Sequence, residues 1–498
     1  MKSAVCLLSL LIARIGVAQA ILPASSGVGE VSFANTGAEA AQPAFLRGLA
    51  LLHDFEYPSA AQSFREAQKI DPSFVMAYWG EAMTYTHPVW LQQDLPAARA
   101  VLQRLGANPT ERAAKTRNDR ERAYLQTIEV LYGDGSKDER DFKYADAMAA
   151  LHQRYPDDVD ATAFYALALL GTSHNGRDTA TYMRAAALLE EVFPAHQHHP
   201  GVLHYLIHSY DDPVHAPLGM RAARLYGAVA PDAGHALHMT SHIFIAMGMW
   251  DEVIDANVRA IAVVNAHRAT AGKPPVHCGH YSTWLHYALL QKQRTEEARK
   301  MIDLCRADAF APGDMQESRI TDYSDMIASQ VMSGIALDDA ERVSPPEKSL
   351  GARFTLAYAE AFDAYRRGDA SALRDAAARL QALDKEPRAP ADAMNMNMSN
   401  PNDSQRREVV LQQIAALQMA AAGRRDEAVA ELRKAAAAEK SMPFDFGPPF
   451  IEKPTLELLG DQLMALKRPA EAVEAYRAAL ARTPGRTVAA EGLRSASR

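Results

Sequence analysis

Three cysteines in 498 residues leave little scope for covalent stapling. Cys6 lies in the leader, so the rest of the chain can close at most one disulfide, between Cys278 and Cys305. Long hydrophobic runs are missing too. Beyond the first twenty residues nothing approaches the roughly 20 apolar residues that cross a bilayer, so no transmembrane segment is expected in the mature chain. Charge of one sign is equally scarce: 53 Lys and Arg stand against 61 Asp and Glu, and the net −8 is spread along the sequence. That excludes a nucleic-acid footprint, since basic clusters such as Arg117 to Arg122 are mixed with acids and read as a solvated helix face. β-Branched runs are few, whereas Ala, Leu, Glu and Arg dominate and turn signals recur at helix-hairpin intervals, so the chain reads as all-α.

What is present repeats. Leu459, Gly460, Leu463, Ala472, Tyr476, Ala479 and Pro484 have the spacing of positions 7, 8, 11, 20, 24, 27 and 32 of a 34-residue helical hairpin. Gly48, Ala60, Phe64, Ala67 and Pro72 fill positions 8, 20, 24, 27 and 32 of another copy, and Ala82 and Tyr85 open the next at 8 and 11. Small residues at 8, 20 and 27 let two antiparallel helices approach closely, and the proline ends the second helix. One hairpin cannot bury its apolar face alone. The predicted fold is therefore a tetratricopeptide-type α-solenoid, a right-handed superhelix of antiparallel helix pairs.

Lys2, the apolar run Ala4 to Ala13 and the small-x-small site Ala18-Gln19-Ala20 form a secretory signal over 1–20, which places the mature protein in the periplasm or outside the cell. Residues 21–42 read as an extended lead-in, 43–305 as a first solenoid, 306–350 as an irregular helical connector and 351–498 as further repeats. In an oxidising compartment a Cys278–Cys305 disulfide is the first expectation, followed by two buried thiols, then by Cys278 as a soft metal ligand beside His277 and His280.

Histidines follow the same period. His204 and His208 recur 34 residues later as His238 and His242, with His235 just upstream. With Pro231 at position 32, His235, His238 and His242 fall at positions 2, 5 and 9 of a first helix, His204 and His208 at 5 and 9 of the preceding one, and His280 at 2 of the following one. These positions line the concave groove of such solenoids. His53 and His87, also 34 apart, fall at position 13 of the first two repeats, which puts eight of the 17 histidines on one groove. His174 shares the spacing but falls in a turn. Packing five central imidazoles on adjacent faces costs desolvation, and charging them costs repulsion; a divalent metal offsets both. The i, i+4 pair is a familiar bidentate arrangement. The expected ligands are His204, His208, His235, His238, His242 and His280, for copper, zinc or iron.

The run His199-Pro200-Gly201, His204-Tyr205, Ile207-His208, Asp211, and then His235-Ala236-Leu237-His238-Met239, Ser241-His242-Ile243-Phe244, resembles a bacterial family of exported tetratricopeptide proteins with an HPGxxHYxIHxxD and HALHMPSHIF signature. Ala77-Tyr78-Trp79-Gly80, His87-Pro88 and Phe444-Asp445-Phe446-Gly447-Pro448-Pro449 extend the resemblance over nearly the whole mature chain. It implies fold and export, but no reaction. Thr240 stands where the family has proline, and Thr283 where relatives carry aspartate, which removes a carboxylate from the His280 repeat and leaves Asp211 and Asp212 as replacements.

Phe444 and Phe446 are expected to fold across the groove and shield the cluster; Tyr205, Asp211, His53 and His87 are expected to line it. Met394, Met396 and Met398 alternate with small polar residues in a low-complexity loop that would suit Cu(I) if it binds metal at all. Three functions remain open: a metal-binding solenoid, a metal-dependent or His acid/base enzyme (hydrolase or oxidase), and a scaffold for a small molecule, peptide or protein in the groove.

Overall fold

The computed structural model describes residues 27–387 and 402–498, which form 23 α-helices and one pair of two-residue strands, Thr86–His87 and Gln92–Gln93. Helices pair with their sequence neighbours all along the chain: Gln42–His53 with Tyr57–Ile70, Pro200–Tyr210 with Ala216–Val229, Gly234–Ala246 with Trp250–Thr270, His280–Gln291 with Thr295–Ala309, and so to Thr455–Ala465 with Pro469–Arg482. This is a tetratricopeptide-type α-solenoid. Among the described residues no helix is long and apolar enough to cross a membrane.

The hairpins close because a small residue on one helix receives an aromatic from its partner. A Cβ on Gly48 would lie 3.0 Å from the Phe64 ring and one on Gly80 2.3 Å from it, so Phe64 is held between two successive first helices. Gly460 meets Tyr476 in the same way, at 2.6 Å. Positions 8 and 24 of the repeat are thus two halves of one contact. A side chain added at Gly48 or Gly460 would push those helices apart.

Two apolar cores share the chain. One gathers buried residues from Val28 to Ala298, the other from Cys278 to Ala496, and they meet within the hairpin His280–Gln291 with Thr295–Ala309. The stretch read as an irregular helical connector, 306–350, holds helix Glu317–Met332, packed on both Thr295–Ala309 and Leu350–Arg366. Its apolar residues Ile320, Tyr323, Ile327 and Val331 recur at helical spacing, which outweighs the loop signals on either side.

The coil also closes on itself. Helix Gln42–His53 packs on Pro200–Tyr210, while the backbone of 27–30 pairs with Asp232 (2.8 Å to Gly27) and His198 (3.0 Å to Glu30). From the other end, Trp250 Nε1 donates to Gly485 O at 3.0 Å and Arg486 donates to Tyr287 OH at 3.1 Å. Both termini of the described chain therefore bear on its middle.

Cys278 and Cys305 are joined by a disulfide across 27 residues, which removes Cys278 as a free thiolate ligand. Constraining a loop of that size should contribute about 3 kcal/mol in the chain-entropy model. Cys305→Ser is expected to lower unfolding free energy by that amount in urea titrations and to make the protein indifferent to added reductant.

Candidate metal centre

Helices Pro200–Tyr210, Gly234–Ala246 and His280–Gln291 are the first helices of three successive hairpins, and their histidines meet. One ring nitrogen from each of His204, His208 and His235 lies within 4.8 Å of the others, and the same holds for His238, His242 and His280. Five of the six are 0 to 7% exposed; His280, the first residue of its helix, is exposed and marks the solvent edge.

Hydrogen bonds fix which nitrogen carries the proton. Asn257 Nδ2 donates to Val253 O at 2.8 Å, which leaves its Oδ1 to accept from His238 Nδ1 at 2.7 Å. Asp211 Oδ2 accepts from His242 Nδ1 at 3.0 Å and from His208 Nδ1 at 3.3 Å, and the His53 carbonyl accepts from His204 Nδ1 at 2.6 Å. With Nδ1 donating, each neutral ring turns an unprotonated Nε2 the other way. His204 Nε2, His208 Nε2 and His235 Nε2 are buried with no hydrogen-bond partner. His238 Nε2 and His242 Nε2 face one another at 3.3 Å.

The rings stay neutral because burial disfavours the imidazolium. Desolvation, reinforced by neighbouring imidazoles, holds His204, His235 and His238 well below the ordinary value of 6.5. Desolvation lowers His242 to about 4 even against the pull of Asp211. Asp211 itself would be raised by burial, but Arg177 and the two histidine hydrogen bonds overcome this and keep it ionised. Arg177 reaches Asp211 Oδ1 at 2.5 Å and Asp212 at 2.9 Å. Asp212 bonds His215 Nδ1 at 2.7 Å and the backbone nitrogens of Val214 and His215, so it sets the turn and ligates nothing here.

Imidazole nitrogens oriented through Nδ1 by carboxylate, amide and carbonyl acceptors are the usual ligands of zinc, copper and iron. A tetrahedral ion with Zn–N bonds of 2.0–2.1 Å separates its ligand atoms by about 3.3 Å. The His238–His242 pair already stands at that spacing. The residues present fit a transition metal.

Aromatics wall the centre. The Phe55 ring centroid lies 4.2 Å from His204, 5.9 Å from His208 and 5.6 Å from His235; Trp284 stacks on His242 at 4.5 Å and Tyr281 on His238 at 4.6 Å. Phe55 holds a left-handed backbone, φ 57°, at the hairpin position where Gly248 turns another repeat. That conformation costs a bulky residue of order 1–3 kcal/mol and is retained where the surroundings demand it. Phe446 covers the centre from the C-terminal side, 4.8 Å from His242 and 6.0 Å from His208, and Gly447 lies so close to Trp284 that a Cβ would come within 2.5 Å of its ring.

Other expected groove residues lie elsewhere. Phe444 lines a separate cavity with Met442, Pro443 and Phe450, whereas Phe446 reaches the histidines. His87 is not on a helix: Val75–Met83 ends first, and the ring, on a short strand, stacks on Tyr57 at 3.9 Å and bonds Thr84 O at 3.2 Å. His53 is fully buried one layer behind the centre. Its Nε2 meets Asp160 at 2.9 Å, as does His199 Nε2 at 3.3 Å, and Tyr205 OH meets its Nδ1 at 3.0 Å. Every ring nitrogen of His53 and His199 has a partner, since His199 Nδ1 accepts from Val202 N, while Asp160 Oδ2 is buried without one. His174 bonds Asp141 at 2.9 Å, apart from the centre. Met394, Met396 and Met398, like the leader, fall outside the described residues.

Asn257, Arg177, Phe55 and Tyr281, whose OH lies 3.5 Å from His235 Nδ1, carry no repeat signal in the sequence. Only Asn257 stands out, as a polar residue at helical spacing on the buried face with Val253 and Ala260.

No family model matches the chain, and no curated protein matches it. Among solved structures it is similar to the Cut9–Hcn1 hetero-tetramer of the APC/C (12% identity, covering 94% of this chain and 78% of that one, TM-score 0.33). It is also similar to yeast Tom70 (12%, 92% and 96%, TM-score 0.33) and to a monomeric IFIT1 mutant with Gppp-AAAA (15%, 86% and 94%, TM-score 0.35). At these scores the likenesses assign nothing to this chain, and the solenoid rests on its own helix pairs.

Acid should destabilise the metal-free protein. Desolvation holds His53 at about 4 and His286, buried with both nitrogens unpartnered, at about 3, against 6.5 for a free ring. The unfolded chain takes up protons that the folded one refuses, so this stability is present above pH 6.5 and lost as pH falls through about 4 and then 3. Urea midpoints in chelator should fall over that window, with a shallower fall for His286→Leu.

Proposed function

We propose that this chain is an exported tetratricopeptide solenoid that binds a transition metal through His204, His208, His235, His238, His242 and His280. The reading is carried by one observation: His238 Nε2 and His242 Nε2 face one another at 3.3 Å while both Nδ1 atoms are committed to acceptors. Two lone pairs so placed repel, and a shared cation turns the repulsion into two bonds. An all-imidazole donor set suits copper, zinc or iron and not magnesium or calcium.

Export is supported by the leader pattern of residues 1–20, by the resemblance to exported proteins with the same histidine signature, and by the Cys278–Cys305 disulfide, which persists in oxidising compartments. The partner favoured by the aromatic wall of Phe55, Trp284 and Phe446 is a small molecule, not a peptide laid along the coil. Three imidazoles on an ion leave a fourth position open, as catalytic zinc sites do, so the same centre would also serve a metal-dependent enzyme. What chemistry a bound ion supplies there is Lewis acidity towards a small ligand.

Mature protein beginning at Ile21, prepared without a histidine tag, should carry transition metal by elemental analysis and lose it in His238→Ala. Asn257→Ala, which frees His238 Nδ1 without removing a ligand, should weaken metal affinity about 10–100-fold. Folded wild-type protein that binds no transition metal under any loading condition sinks the reading.

A further inference from the structure

We infer that the centre holds two ions, one on His204, His208 and His235 and a second on His238, His242 and His280, with Asp211 tying the two together. This rests on the metal-binding reading above.

The six rings do not form one coordination sphere. Their nitrogens come within 4.8 Å of one another in two sets of three, and the six do not gather into a single such set. A tetrahedral ion of the zinc type takes four ligands, so six imidazoles exceed what one ion can use, while three each with an open position is a recurrent count. Both sets also show unmet chemistry. In the first, all three Nε2 atoms are buried without a partner. In the second, two Nε2 atoms oppose each other at 3.3 Å. An ion on one set would leave the other set's lone pairs as they are.

The sets are neighbours nonetheless. His208 and His242 ring centroids lie 5.4 Å apart and those of His235 and His238 6.0 Å apart. One oxygen, Asp211 Oδ2, accepts from a ligand of each set. Asp211 is therefore a positioning residue for both ions: its charge, held by Arg177, orients the His208 and His242 rings together.

Two histidines belong to one set each and differ in risk. His280 is exposed, so His280→Ala leaves the fold intact; His235 is buried, so His235→Ala is checked by circular dichroism. Metal-free mature protein is titrated with Co(II) alone, followed by visible absorption, and bound cobalt is measured after gel filtration. Two equivalents for wild type, and one for each variant, are expected. Asp211→Asn should weaken both equivalents about 10–100-fold. A single equivalent in wild type, or complete loss in folded His280→Ala, overturns the two-ion inference while leaving metal binding standing. No cobalt in wild type overturns the metal reading itself, so the two failures are distinct. If His235→Ala does not fold, His280→Ala decides alone: one equivalent retained supports the inference, none or two refutes it.

Discussion

One carboxylate oxygen sets the chemistry of this interior. Asp211 Oδ2 takes the Nδ1 protons of His208 and His242, which come from two different helices, and so forces both Nε2 atoms to present lone pairs. The buried charge this requires is held by Arg177 from the loop between helices Val159–Leu170 and Thr179–Val192. Without the arginine a fully buried carboxylate would drift towards its neutral form, and a protonated Asp211 could no longer orient two rings. The His53 carbonyl and Asn257 amide repeat the device for His204 and His238. Four tautomers are thus dictated by acceptors behind the rings.

A comparison inside the molecule shows what this means. His53 and His199 around Asp160 have as much histidine and carboxylate in as little space, but each ring nitrogen there finds a donor or acceptor. Only Asp160 Oδ2 is left over there, and no imidazole lone pair is. Buried polar groups are normally satisfied, and the exceptions point to a missing partner. In the six-histidine centre three of the exceptions are imidazole nitrogens of neighbouring rings.

Solenoids of helix pairs commonly leave their inner face open. Here the first hairpin and the C-terminal segment both turn inward and bring Phe55 and Phe446 against the imidazoles from opposite sides. Phe55 occupies the hairpin turn position, left-handed also at Gln293 and Lys467, and from there it lays an aromatic face on three histidines. Water exclusion strengthens any charge interaction within, which is why the wall and the lone pairs belong to the same site.

The repeat was legible in the sequence because its two requirements are local: a small residue at position 8 and an aromatic at 24 are read off spacing alone, as Gly48 with Phe64 and Gly460 with Tyr476 show. The same period put His204, His208, His238 and His242 on matching faces of successive helices, and His235 and His280 at matching ends. Periodicity failed at His87, where the chain left its helix for a strand, and it did not reach the non-helical segment in which Phe446, not Phe444, faces the histidines. Tautomer, charge and closure belong to tertiary structure alone. Asp160 with His53, Asn257 with His238 and Phe446 with His242 are contacts between residues 107, 19 and 204 positions apart, and no spacing rule links them. Helical period fixes the face on which a side chain stands; only the path of the coil decides what stands opposite.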